Sequence, residues 1–239
     1  MLRNNQQRAR TARLIFLLLS LATGGLVLLS VLAQLRPEWA RDVAGISYHL
    51  VAGLYYSFAL LSFTYILLVI AGYVTLIMWL RRAYYNLHQL PDIRPDYSDG
   101  WAAGAWFVPF INFWRPYTIM REVWQDTQRA ALGRIVVPST LLGWWWTAFV
   151  LKLIIARITW HMGSSFDSDT FTQEDMLATS LDAGAQFIAA VLTWQVIGRV
   201  SAFEEELALR QRINQLGQPL TLPVSHQTDQ SDYRMEEGY

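Results

Sequence analysis

Two long stretches of the chain carry no charged residue, and they restrict the possible folds more than any other feature. The first runs from Leu14 to Leu35 and the second from Gly53 to Leu80, which gives 22 and 28 residues. At about 1.5 Å per helical residue, each exceeds the roughly 30 Å hydrocarbon core of a bilayer. The sequence therefore predicts an all-α membrane protein. The charged fraction of 16% agrees with this, since soluble domains carry about 25%.

Two weaker apolar stretches follow, and both contain polar side chains. Residues 135–158 include Lys152, and residues 181–203 include Gln186 and Gln195. Each is long enough to span a bilayer as a helix. The sequence therefore predicts a polytopic membrane domain at 14–217, with four transmembrane helices at about 14–35, 53–80, 135–158 and 181–203.

The distribution of arginine predicts the orientation of these spans. Fifteen arginines lie in the N-terminal arm at 1–13, in the segment 81–134 or after residue 198, whereas the loop 159–180 holds no basic Lys or Arg and four acidic residues. By the positive-inside rule, both termini are expected in the cytoplasm. The polar tail 218–239 is expected to be largely disordered. An alternative takes residues 1–33 as a cleaved signal peptide, although the apolar stretch is longer than such peptides usually have.

The segment between the second and third spans is unusually aromatic. Apolar and aromatic residues dominate from Trp101 to Trp114, but this stretch is too short to cross a membrane. Pro109 also removes a helical hydrogen bond. We therefore expect a re-entrant or interfacial element on the cytoplasmic side, covered by neighbouring helices. Asn112 is expected to cap the next helix, and Pro116 suits the first turn of that helix.

The residues after Pro116 repeat with helical periodicity. Apolar residues and polar residues fall on opposite sides of this helix, which predicts an amphipathic helix on the cytoplasmic face of the membrane. The apolar stripe comprises Tyr117, Met120, Val123, Trp124, Thr127 and Ala131, and the polar face comprises Arg121, Glu122, Gln125, Asp126, Gln128 and Arg129.

The same region carries a resemblance to a known family. The run WFVPFINFWRPY at 106–117, with Gly100, Trp101 and Gly104 before it and Met120, Glu122 and Trp124 after it, resembles the hallmark of the bacterial integral-membrane family labelled domain of unknown function 4328. In that family a similar element lies between predicted transmembrane helices. The resemblance covers roughly residues 50–205 and implies a bacterial membrane protein, for which we expect the inner membrane. The family label implies no activity, cofactor or substrate.

One set of candidate site residues lies in this aromatic region. An arginine fork suits a phosphate or carboxylate, so a polar cluster could bind a lipid headgroup or a partner protein. In the alternative interpretation, Asn112 caps, Arg115 reaches the phosphate level, Glu122 pairs with Arg81, Arg82 or Arg129, and the rings only anchor the segment. The candidates for lipid or partner binding are Trp106, Pro109, Asn112, Trp114, Arg115, Tyr117, Glu122 and Trp124.

A second candidate site centres on Lys152, the only lysine in the chain. An ionisable residue inside a span is a functional candidate by default, and Asp182, Gln186 and Gln195 complete a set of transport candidates. The alternative is structural: Lys152 lies near the outer end of its span, so that its stem snorkels outward. Asp182 would then pair with Lys152 or Arg157.

No catalytic or metal motif emerges. The chain has no Cys, no Walker A, GxGxxG or GxSxG pattern, and its four His lack metal-site spacing, with only a His49/His161 pair allowed. The net charge of zero gives no attraction for nucleic acid. We expect a non-enzymatic protein without metal or cofactor that docks membrane lipids, another membrane protein or a second copy of itself. A small transporter or channel is the alternative, and an intramembrane enzyme is a third.

Overall fold

A computed structural model describes residues 2–35, 48–163 and 173–216. These residues form only helices, which confirms the predicted all-α fold class. The expected disordered tail at 218–239 and much of the two expected outer loops lie outside the described residues. In chain order the helices are α1 (Gln6–Leu35), α2 (Tyr48–His88), α3 (Trp101–Gly104), a 3-10 helix (Ile111–Phe113), α4 (Arg115–Leu132), α5 (Thr140–Gly163) and α6 (Gln173–Leu216).

Four of these helices, α1, α2, α5 and α6, are long and apolar enough to cross a membrane. Exposed large apolar side chains form a belt around them, from Leu14 to Leu32 on α1, from Tyr56 to Met78 on α2, and from Trp144 to Trp160 on α5. At 1.5 Å per residue this belt is about 24 to 33 Å tall, which matches the hydrocarbon core of a bilayer. The chain is therefore a multi-pass membrane protein.

The long helices α2 and α6 continue well beyond this belt. They contain 41 and 44 residues, so they reach about 60 and 66 Å, and the expected spans 53–80 and 181–203 are only their central parts. Helix α5 begins at Thr140, five residues after the expected start at residue 135. The intervening chain is not helical because Gln128 of α4 accepts the backbone N–H groups of Val136 and Val137.

Helix α6 is the centre of the bundle, and α1, α4 and α5 all pack against it. The buried apolar side chains concentrate at one end, which also carries α3 and α4 and which we call the aromatic end. There the large rings of Trp79, Tyr84, Trp124 and Trp145 are fully buried. Towards the other end, called the opposite end, no described apolar side chain is buried on α1 after Leu19 or on α5 after residue 149.

The sequence predicted α4 as an amphipathic helix on the cytoplasmic face, and the structure shows that protein covers its apolar stripe. Its apolar stripe packs against α2 and α6, where Met120, Val123 and Trp124 are fully buried. The reason is the length of α6, which extends past the belt and brings Phe203 edge-on to Trp124, with ring centroids 5.5 Å apart. The extension of α6 beyond the belt thus supplies the apolar partner of α4.

The N-terminal arm is fixed to the same end of the bundle. The Asn86 side chain accepts the backbone N–H of Arg3 at 2.9 Å and donates to its carbonyl at 2.8 Å. Asn5 Nδ2 donates to the Glu204 carboxylate at 3.2 Å. These contacts join α2 and α6 through the residues that precede α1.

Candidate functional site

The aromatic segment, defined here as residues 101–117, connects α2 to α4 by a compact path. Its short helix α3 is followed by turns and by the 3-10 helix at Ile111–Phe113. Between them Phe110, which follows the exposed Pro109, has a φ of 64°. A non-glycine residue in such a conformation costs about 1 to 3 kcal/mol. The segment therefore holds a bent backbone that the surrounding contacts must stabilise.

Those contacts come from α5. The Trp146 indole N–H donates to the Phe113 carbonyl at 3.1 Å, and Tyr117 packs on the same indole, with ring centroids 6.1 Å apart. Trp106 meets Phe149 edge-on at 5.6 Å. Counted from Trp144 at the edge of the apolar belt, positions 146 and 149 lie about 3 and 8 Å inside it. The aromatic segment therefore contacts α5 within the apolar belt.

Several rings of the segment find no cover in the protein. Phe107 and Phe110 are 74% and 76% exposed, and Phe113 and Trp114 are about half exposed. Large exposed apolar patches of this kind mark an interaction with another molecule or with lipid. The four rings form what we call the aromatic edge.

Arg115 lies beside this edge between two aromatic rings. Its guanidinium carbon is 4.4 Å from the centroid of Tyr97 and 4.3 Å from that of Trp101, and such stacking stabilises a cation. Its Nε is buried and has no hydrogen-bond partner within the protein. In the part of the chain that the structure describes, no carboxylate lies within ion-pair distance of Arg115, so its positive charge is not neutralised.

Asn112 does not cap α4, contrary to expectation. The N-cap position is Trp114, and no side chain caps the helix, although Pro116 does occupy its first turn as predicted. The capping prediction failed because the 3-10 helix at 111–113 separates Asn112 from the free N–H groups of α4. Its Oδ1 is instead buried without a partner, as is the Nε1 of Trp106.

Glu122 also has a different partner from those expected. Its Oε2 accepts a 2.7 Å hydrogen bond from the Tyr84 hydroxyl of α2, whereas Arg129 pairs with Asp126. Burial raises the pKa of the Glu122 carboxyl above its ordinary value, and the hydrogen bond from Tyr84 partly offsets this. Glu122 reaches the Arg115 site only indirectly, because the Tyr84 hydroxyl also accepts the backbone N–H of Tyr97.

The last candidate of this group, Trp124, belongs to the core. Its indole N–H donates to the Val137 carbonyl at 3.2 Å. Gln128, predicted on the polar face, is fully buried beside it. The Gln128 amide donates to the Trp124 and Val137 carbonyls while its oxygen accepts two backbone N–H groups. The pair Trp124 and Gln128 thus fixes the turn between α4 and α5.

Lys152 does not snorkel to the outer surface as the alternative interpretation expected. It is only 8% exposed, and its ammonium donates to the Tyr73 hydroxyl of α2 at 3.2 Å. Along α5 it lies about 12 Å from both Trp144 and Trp160, the ends of the apolar belt on that helix. Lys152 therefore lies deep within the apolar belt, and its contact with Tyr73 of α2 directs it into the bundle instead of towards the outer surface.

The other transport candidates divide between two places. Buried Gln186 and Thr193 of α6 line a small cavity of about 10 Å³ beside Lys152. Asp182, one turn before Gln186, interacts electrostatically with Lys152, but no ion pair joins Asp182 to Lys152 or Arg157 within the described ranges. Gln195 is exposed on α6 and does not line the cavity.

No cluster of three or more potential metal ligands occurs within residues 2–35, 48–163 and 173–216. The ring nitrogens of His88 lie 2.9 Å from the carbonyls of Tyr84 and Tyr97. This histidine therefore joins the end of α2 to the connection that precedes the aromatic segment. The side chain of His49 and the whole of His226 lie outside the described residues, so the structure does not test the allowed His49/His161 pair.

The sequence reasoning missed Tyr73, Tyr97 and Thr193. Tyr73 lies inside the predicted second span, and it partners Lys152. Tyr97 lies in the connection before the aromatic segment, and it stacks on Arg115. Thr193 accepts the indole N–H of buried Trp145 at 3.0 Å. All three partners are distant in sequence, so the sequence pattern did not point to them.

A comparison with protein families finds one matching family model over the described bundle. The family described as "Domain of unknown function (DUF4328)" has a model that matches residues 47–205, a range that includes α2, the aromatic segment, α4, α5 and most of α6. No curated protein matches the chain, and no solved structure does.

Proposed function

Because the chain belongs to the DUF4328 family, whose description assigns no activity, we propose a function from geometry: the aromatic segment is a docking surface for membrane phospholipid in a non-enzymatic protein. The observation that carries this proposal is the aromatic edge beside an unneutralised arginine. Phe107 and Phe110 present apolar rings, and Arg115 presents a cation held between two further rings.

The depth of the segment favours lipid as the occupant. Because Phe113 and Trp106 contact α5 about 3 to 8 Å inside the apolar belt, the aromatic edge lies at the level of headgroups and upper acyl chains. Rings at this depth bind the interface through their amphipathic or apolar faces. A soluble partner would have to enter the bilayer to cover them.

The chemistry of Arg115 favours a phosphate group. A guanidinium offers two parallel N–H donors that match phosphate oxygens, and stacking on Tyr97 and Trp101 holds its plane. Although its Nε is enclosed, Arg115 is only partly buried, so an anionic phospholipid headgroup would accept from its other guanidinium N–H groups. The acyl chains would lie along Phe107 and Phe110.

We propose that the aromatic end lies on the cytoplasmic side of a bacterial inner membrane. The arginines of the N-terminal arm and those at positions 81 and 82 flank the belt at this end, as the positive-inside rule requires for a cytoplasmic face. Since the chain has no Cys, Arg94→Cys gives one reactive thiol at an exposed position beyond the belt. A membrane-impermeant maleimide should label it in inverted vesicles and not in intact cells. Labelling in intact cells only would refute this orientation.

The docking proposal is tested by depth-dependent quenching. Phe110→Cys and Arg121→Cys are labelled with the same fluorophore in liposomes that contain lipids brominated at different acyl positions. The label at 110 should be quenched most by bromine near the headgroup, and the label at the exposed position 121 should hardly be quenched. Equal, weak quenching at both positions would refute lipid contact.

A second experiment isolates the role of Arg115. Anionic phospholipid retained through purification in mild detergent is quantified for the wild type, Arg115→Gln and the control Arg121→Gln, which removes an exposed charge from the same region. Several-fold less retained lipid in Arg115→Gln alone supports a phosphate site. Unchanged lipid retention in Arg115→Gln would refute the phosphate site. Stoichiometric capture of another membrane subunit in place of lipid would favour a protein partner.

The transporter alternative receives less support from the geometry. A cavity of about 10 Å³ beside Lys152 holds one water at most. Gln195 does not contribute to it. No path for a solute of metabolite size follows from these residues.

A further inference from the structure

Lys152 has an environment that a purely structural residue does not need. It is a cation deep in the apolar belt, and among the described residues its ammonium donates a hydrogen bond only to the neutral hydroxyl of Tyr73. Its ammonium also lies 5.0 and 5.5 Å from the ring centroids of Tyr73 and Phe149. Burying a charge at this depth costs several kcal/mol, and an apolar residue would avoid that cost. A function that requires ionisation explains why the position holds a lysine.

The groups around Lys152 differ between its two sides. Towards the aromatic end, α1 contributes Phe16 and Leu19, α2 contributes Leu76, and α5 contributes Phe149, and none of these can titrate. The Thr193 hydroxyl there is already bonded to Trp145 and to a backbone carbonyl. No side chain on this side of the cavity can therefore carry a proton away from Lys152.

Towards the opposite end, ionisable groups continue from Lys152. Tyr73 of α2 bonds the ammonium directly. Tyr65, two turns earlier on α2, interacts electrostatically with both Tyr73 and Asp182, and Asp182 interacts with Lys152. Gln186 of α6 is the remaining polar group, and Arg157 of α5 is exposed five residues further on. Tyr65 and Asp182 are less buried than Lys152, and Asp182 lies near the start of the expected fourth span, so the ionisable groups lead from the buried ammonium towards the opposite end.

We propose that Lys152, Tyr73 and Asp182 form a proton-binding site in the middle of the membrane, which exchanges protons with the water at the opposite end. In the transfer, the Lys152 ammonium gives one proton to the Tyr73 hydroxyl, which passes its own proton towards Asp182. Lysine becomes a neutral amine and aspartate a carboxylic acid, so the total charge of the site is conserved. Asp182 then releases the proton to water. The cavity is lined by Tyr73, Lys152 and Gln186 and has room for one water, which would carry the proton from Tyr73 past Gln186 towards Asp182, one turn earlier on α6.

The single lysine of the chain makes the proposal directly measurable. Protein labelled with ¹⁵N-lysine, folded in lipid nanodiscs, gives one side-chain Nζ signal, which reports whether Lys152 is an ammonium or an amine. We expect this signal to change reversibly with pH while circular dichroism stays helical. In Asp182→Asn the pH at which half of the Nζ signal has changed should shift by about one unit. This is the lower end of the effect that a nearby opposite charge has on the titration of a group. In Tyr73→Phe the proton exchange at Nζ should slow.

The control is Arg157→Gln, which removes an exposed charge from the same helix and should leave both the midpoint and the exchange unchanged. If Asp182→Asn does not fold, Tyr73→Phe still decides the case, because it removes one hydroxyl and keeps the ring. An Nζ signal that keeps one protonation state across the folded range would overturn the proposal. So would exchange in Tyr73→Phe equal to that of the wild type. Neither result depends on whether the aromatic segment binds lipid.

Discussion

Replacing Gln128 by alanine tests whether the turn between α4 and α5 holds the aromatic end together. The Gln128 amide makes four hydrogen bonds, with the Trp124 carbonyl, the Val137 carbonyl and the backbone N–H groups of Val136 and Val137. Val136 is exposed, so its N–H can bond water in the variant. Three bonds are then lost at about 1 kcal/mol each, which gives a destabilisation of about 3 kcal/mol.

The free energy of unfolding is measured by titration with a denaturing detergent in mixed micelles, followed by circular dichroism. The matched control is Gln125→Ala, on the same helix but only half buried and without a hydrogen bond of this kind among the described residues, and we expect it to stay within about 0.5 kcal/mol of the wild type. Equal stability of Gln128→Ala and Gln125→Ala would refute the reasoning, because it would mean that water satisfies the turn as well as glutamine does.

Three further predictions concern single contacts. Trp146→Phe keeps one aromatic ring but loses the pyrrole part of the indole and its N–H bond to Phe113, so amide hydrogen exchange at 107–114 should accelerate, with a stability loss of at least about 1 kcal/mol. Gly198→Val places a side chain where a Cβ already comes within 3.2 Å of the Arg13 guanidinium, and detergent unfolding should show a loss of about 1 to 3 kcal/mol. Because burial raises the Glu122 pKa, its folded form holds a proton more tightly than its unfolded form. Its contribution to stability should therefore decrease as pH rises from the ordinary carboxyl pKa to the raised one, and Glu122→Gln should abolish this dependence in melting temperatures measured against pH.

Each of these predictions has a contradicting outcome. Unchanged exchange at 107–114 in Trp146→Phe would mean that the aromatic segment is held by ring packing alone. Gly184→Val is the control for Gly198→Val, since a Cβ at Gly184 meets nothing within 4 Å, and equal losses in the two variants would contradict the contact argument. A pH profile of Glu122→Gln that follows the wild type would assign the titration to another group.

The spans could be predicted from the sequence because lipid imposes a strong local constraint. A helix in hydrocarbon needs about 20 apolar residues, and such runs are visible without knowledge of the partners. Pro116 in the first turn of α4 was predictable for the same reason, since it depends on local backbone chemistry. These features need no contact between distant residues.

The partners of the polar side chains could not be predicted in this way. Glu122 bonds Tyr84, 38 residues away, and Lys152 bonds Tyr73, 79 residues away. Both pairs depend on how the helices rotate about their axes in the bundle, which hydrophobic periodicity does not fix. The apolar stripe of α4 was equally compatible with lipid and protein, and the extension of α6 beyond the belt decided between them.

The uneven burial along the bundle has a mechanical consequence. The helices are fixed at the aromatic end by large buried rings, whereas at the opposite end they contact mostly lipid. When the surrounding bilayer becomes thinner or thicker, the loosely packed tips can tilt to follow it at little cost, while the geometry around Arg115 stays constant. The lipid-facing half thereby absorbs changes in membrane thickness that would otherwise distort the site.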